Sequence, residues 1–164
     1  MTLKLNSFLK KTGLLWFCFL TATAFLLICS KSSPLYPMND WVDVNCFLTM
    51  GKGLLNGMIP YVDLYEQKGP VLYFVYALVA LLSRDRMWGQ FLLEIITTGL
   101  YLFYSMKFAG LYLGKSKARY LILIALAAVL TTSNAFFHGG SVELCYLFLF
   151  ARSWWSYRCC RCRS

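Results

Sequence analysis

From residue 13 to residue 29 the chain carries no charged side chain, and this unbroken stretch constrains its fold more than any other feature. It has about the 17–25 residues that an apolar helix needs to span a bilayer. Lys4, Lys10 and Lys11 precede it, so its N-terminus is expected on the cytoplasmic side. A cleaved signal peptide has a similar layout. However, no small-x-small cleavage site follows closely, and Ile28 ahead of Cys29 departs from a lipoprotein signal. The reading is an uncleaved membrane anchor.

The rest of the chain repeats the theme. Apolar runs recur at 70–82, 87–106 and 120–137. Over 164 residues, 59% are hydrophobic and 14% charged, against about 25% charged in a soluble domain. That leaves too little polar surface to cover a water-soluble body, so a lipid bilayer is the expected solvent. The net charge of +9 is spread in short clusters between the apolar runs, at Lys4, Lys10 and Lys11, at Arg84 and Arg86, and from Lys107 to Arg119. Loops of membrane proteins are charged this way, and no aromatic-interleaved basic patch for nucleic acid forms. Seven cysteines are present, but the Cys159–Cys162 CxxC has no second ligand pair. The expected fold class is all-α, a polytopic transmembrane helical bundle.

Glu94 falls inside the third run, where a charge costs about 2.5–3.5 kcal/mol at a helix centre. It is expected to face the bundle interior, either pairing with another helix or lining a polar path. If 107–119 is cytoplasmic, residues 70–106 make one net crossing, and half of that stretch is re-entrant or interfacial. This arrangement is preferred over a crossing by every run.

Segment 31–69 holds three of the four prolines together with Asp40, Asp43, Asp63 and Glu66, and it is expected outside the cytoplasm. Within it, Val44, Phe47, Leu48, Leu54 and Leu55 share a helical face, which predicts an interfacial helix over Val42–Leu55. Gly57 and Pro60 end it. Asp40 and Asp43 stand where carboxylates cap a helix N-terminus, although one of them can cap while the other faces a cavity. Lys68, among aromatics at the mouth of the next apolar run, suits an anionic headgroup or simply snorkels. Pro70 fits a first helical turn. Farther on, His138, Gly139, Gly140 and Glu143 break two apolar runs, and one His with one Glu falls short of a metal site.

The tail from residue 151 to 164, ARSWWSYRCCRCRS, abruptly ends an apolar run and shows no helical periodicity. It is expected to be aberrant, the product of a frameshift or early stop. Residues 1–150 are the membrane part proper.

The pattern Asp43 and Asn45, Gly51-Lys52-Gly53, Gly57, Pro60-Tyr61, Asp63 and Glu66-Gln67-Lys68-Gly69-Pro70 resembles the first external loop of GT-C membrane glycosyltransferases. The branch is that of protein O-mannosyltransferases and lipid A aminoarabinose transferases, the family 39-like enzymes. Gly139-Gly140 with Glu143 resembles its second acidic position. The resemblance covers residues 10 to 150. It implies a polytopic bundle in a bacterial plasma (inner) membrane and a polyprenyl-phosphate-sugar donor. Transfer goes to an acceptor hydroxyl with inversion. Asp43, with Asp40 as fallback, is implied as the base, Glu143 as a second cavity carboxylate, and Lys68 as the residue at the donor phosphate. The donor sugar, the acceptor and any divalent-metal cofactor stay open.

Two departures accompany the likeness. The branch's Asp-Glu pair is Asp43-Val44 here. Its members also run to several hundred residues, so this chain is expected to be a truncated and inactive N-terminal fragment. The alternatives are a small non-enzymatic membrane protein, such as an assembly partner or transporter subunit, and a channel with Glu94 in its path.

Overall fold

The computed structural model describes residues 2–83 and 87–113, together with Tyr120, Ala127, Phe137, His138 and Val142. Among the described residues four helices follow in order: α1 (Thr2–Cys29), α2 (Val42–Leu55), α3 (Pro70–Leu82) and α4 (Trp88–Leu113). No strand occurs among the described residues, so the fold is all-α there.

The lysines ahead of the apolar run do not break a helix, and α1 therefore begins at Thr2. Its segment Thr12–Cys29 is the one described helix long and apolar enough to cross a membrane. Inside that segment Thr21 and Thr23 turn their hydroxyls onto the carbonyls of Phe17 and Phe19, each at 2.8 Å, so neither hydroxyl is left bare. A helix end leaves carbonyls without partners, and the turn after α1 supplies them. The Ser30 amide donates to Leu26, Ser33 Oγ to Leu27 and the Tyr36 hydroxyl to Ile28.

α4 packs along α1 in the opposite direction. Glu94 meets Ser30, Phe91 packs on Leu26, Gly99 lies against Phe19, and Leu102 and Met106 close on Cys18 and Ala22. Trp88 thus lies at the end of the pair where loop 31–41 begins, and Lys107 at the other, its ammonium 4.4 Å from the Phe103 ring. Nothing breaks the helix after Met106, so α4 runs on to Leu113.

α2 and α3 make the second pair. The expected helix and its ending are as read: Val42–Leu55, followed by Gly57 at φ +82°, the left-handed conformation glycine adopts without strain. Its buried face differs. Val44, Phe47 and Leu48 are buried, but Leu55 is exposed, and Met50, Gly51 and Gly53 go in instead. The reason is close backbone approach. A Cβ on Gly51 would lie 2.5 Å from the Tyr76 carbonyl, so α3 crosses α2 where α2 has no side chain. Gly69 precedes α3, and Pro70 occupies its first turn. At 13 residues, α3 is about 20 Å long, well short of the ~30 Å hydrocarbon core.

The two pairs touch lightly. Their meeting point is Gly89, where a Cβ would come 2.8 Å from the Val79 carbonyl oxygen. Large apolar side chains face outward on three helices: Trp16, Leu20 and Ile28 on α1, Val71, Phe74, Leu78 and Leu81 on α3, and Trp88, Leu92 and Ile96 on α4. Steps of three or four, and of eight between Leu20 and Ile28, make each set a stripe.

Candidate functional site

The polar residues gather where α1 ends, α2 begins and α4 starts. Asn39, 1% exposed, organises this end. Its Nδ2 donates to Ser32 Oγ and to the His138 carbonyl, each at 3.0 Å, and its Oδ1 accepts from the Trp41 amide. The Lys31 amide donates to the Phe137 carbonyl at 2.9 Å, and the Trp41 ring lies 4.3 Å from that of His138. Loop 31–41 and residues 137–138 are thereby one unit. The single histidine of the sequence serves as an aromatic plate, and among the described residues no cluster of His, Cys, Asp or Glu could hold a metal ion.

Neither aspartate caps α2, contrary to the capping expectation. The N-cap is Trp41, without a side-chain cap, and Asn45 Nδ2 instead binds the carbonyls of Asn39 and Trp41. Asp40 is drawn away by Lys31, whose Nζ lies 2.7 Å from Oδ1. Lys31 accordingly holds the Asp40 carboxyl below the usual carboxylate range, so it is ionised at neutral pH and weakly basic while paired.

Asp40 and Asn45 line two clefts at once. The larger, about 630 Å³, lies between loop 31–40 and the start of α4, with Lys31, Tyr36, Met87 and Trp88 in its walls. The smaller, about 420 Å³, runs over the α2 face formed by Val42, Cys46 and Thr49 toward Leu64, Tyr65 and Glu66. A carboxylate between two adjacent spaces can act on a group held in either.

The other sequence-derived candidates fall elsewhere. Asp43 is exposed in the first turn of α2, lines neither cleft, and makes no hydrogen bond or ion pair with the described residues. Lys68 also lines neither cleft, and its carbonyl accepts hydrogen bonds from the Tyr61 and Tyr73 hydroxyls. Asp63 closes a turn by accepting from the Ile59 amide at 2.8 Å. Glu143 and the 151–164 tail lie outside the described residues, as do Arg84, Arg86 and most of 120–137.

Sequence reasoning passed over Lys31 and Asn39. Lys31 follows directly on the apolar run, a position that signals an interfacial cation. Nothing in the spacing of Lys31 and Asp40 announces that a turn will bring them together. Glu94 is fully buried against α1, where both its oxygens accept, one from Ser30 Oγ at 2.6 Å and one from Gln90 Nε2 at 3.1 Å. No known protein family, no curated protein and no solved structure matches this chain.

Proposed function

We propose that the chain is membrane-embedded and forms the N-terminal part of a GT-C-like glycosyltransferase that takes sugar from a polyprenyl-phosphate donor. In this reading α1 and α4 cross the bilayer in opposite directions, and the α2–α3 pair lies in the outer leaflet. Loop 31–69 faces outward, and the N-terminus and Lys107 are cytoplasmic. The outward apolar stripes of α1, α3 and α4 support embedding, because a water-soluble protein rarely lines three helices with large exposed apolar side chains. The length of α3 and the position of Trp88 beside loop 31–41 support a single net crossing by residues 70–106.

One observation carries the chemical reading: Asp40 lines two neighbouring clefts, one with a cation in its wall and one with an apolar and acidic wall. Single displacement at an anomeric carbon needs a base within reach of the acceptor hydroxyl and positive charge near the departing phosphate. Asp40 is the proposed base. Asp43, which the family resemblance implies, lies three positions later on the exposed side of α2.

The test is photolabelling of the chain in native membranes with a diazirine-bearing short-chain polyprenyl-phosphate sugar. Saturable labelling is expected, competed by unlabelled donor, with adducts mapping to loop 31–69 or the start of α4. Labelling that fails to saturate, or maps to the Lys107 end, counts against the reading and in favour of a non-enzymatic membrane protein.

A further inference from the structure

Resting on the glycosyltransferase reading, we infer that Lys31 is the phosphate-binding residue of the larger cleft, its ammonium exchanging the Asp40 carboxylate for the phosphate of an incoming ligand. Lys31 has two holds of different kinds. One is the 2.7 Å contact with Asp40 and the other the face of the Phe137 ring, 5.2 Å from Nζ. The ring cannot follow a ligand and keeps the ammonium in place. The carboxylate can be replaced, because Asp40 is 66% exposed at its side chain and exposed ion pairs are weak. A phosphate offers more acceptor oxygens than one carboxylate, and a phosphate monoester or free phosphate more charge as well.

The position is built rather than incidental. The Lys31 backbone is pinned to Phe137, and Asn39 pins the far end of the loop to His138. Among the described residues, Lys31 is the cation in the wall of this cleft, whose ~630 Å³ is ample for a phosphorylated headgroup. The phosphate is either lipid-borne or free. Lys31 follows two residues after the last residue of α1, and Leu35, Met38 and Trp88 are exposed beside the cleft, so a hydrocarbon chain has apolar surface to lie on. Exchange also releases Asp40 from its partner, which restores its basicity only when the cleft is filled.

The experiment uses the full chain in phosphatidylcholine nanodiscs, titrated separately with farnesyl phosphate and inorganic phosphate and read by ³¹P NMR. Lys31→Gln is expected to weaken binding by about tenfold or more, equivalent to about 1.4 kcal/mol. Lys31→Arg keeps it, Lys68→Gln changes it less than about twofold, and Asp40→Asn tightens it by removing the competitor. Helical content by circular dichroism shows that each variant is folded. Tighter binding of farnesyl phosphate identifies a lipid-borne ligand and equal binding a free one, and either supports the site. Binding that survives Lys31→Gln overturns the Lys31 assignment and leaves the glycosyltransferase reading standing. Absence of binding to the unaltered chain overturns both.

Discussion

Ser30 donates a 2.6 Å hydrogen bond from Oγ to a carboxylate oxygen of Glu94, across 64 residues of chain. Both side chains are fully buried. The contact joins the residue that follows α1 to α4 and brings the site loop with it, because the Ser32 amide donates to the same Ser30 hydroxyl.

Removing the carboxylate leaves Ser30 and Gln90 without that acceptor inside the helix pair. Glu94→Ala is expected to destabilise the protein by about 1–3 kcal/mol, read as a lowered unfolding temperature in detergent. Ser30→Ala costs less, and the double variant costs less than the sum of the two because the partners are coupled. Additive losses would separate the two residues.

Gly51 and Gly53 look alike in sequence but differ in what a methyl group would strike. At Gly51 it meets the Tyr76 backbone, and at Gly53 the movable end of Leu64. Gly51→Ala is expected to cost about 1–3 kcal/mol by overpacking, and Gly53→Ala clearly less. Equal losses of stability, measured by chemical denaturation, refute the backbone contact.

Asn39→Asp keeps size and shape but replaces a donor with a carboxylate oxygen. Ser32 can rotate its hydroxyl to donate, whereas the His138 carbonyl cannot. Hydrogen exchange at the Lys31 and Trp41 amides is expected to accelerate by more than tenfold, since both close onto this unit. Unchanged protection there shows that Asn39 does not organise the loop.

The Lys31–Asp40 pair has a defined pH signature. The folded-state pKa of Asp40 is depressed, first by the hydrogen bond from Lys31. The pair therefore stabilises the fold above the unfolded carboxylate value of about 3.9, and the contribution disappears as pH falls through the lower folded value. High salt weakens it as well. In ¹³C NMR of selectively labelled protein, Asp40 is expected to titrate below an ordinary aspartate, and Lys31→Gln should raise its midpoint. A midpoint indifferent to Lys31 contradicts the pairing.

Much of the architecture could be read from residue types with local consequences. The uncharged stretch ending at Cys29, Gly57 after the short helix, and Pro70 in a first turn each act within a few residues, and each element appears where expected. The buried face of α2 was legible only in part. Val44 and Phe47 follow apolar periodicity, whereas Gly51 is buried because another backbone needs the space. The site was the least legible. Whether Asp40 caps a helix or meets a lysine depends on the turn at 30–36, which is set by side-chain hydrogen bonds to the end of α1. Glu94 announced itself as a buried acid, but Ser30 as its partner followed only from helix packing.

The crossing at Gly89 has a mechanical consequence. Most of each interior comes from its own helix pair, while α4 reaches the α2–α3 interior through Leu93 and meets α3 where the bare Gly89 backbone rests on the Val79 carbonyl. Added bulk at Gly89 would therefore push α4 off α3 and draw Leu93 out of the α2–α3 interior, against which it packs. Trp88, the adjacent residue, stands in the wall of the larger cleft, so any shift of α4 at this crossing reshapes the rim of that cleft.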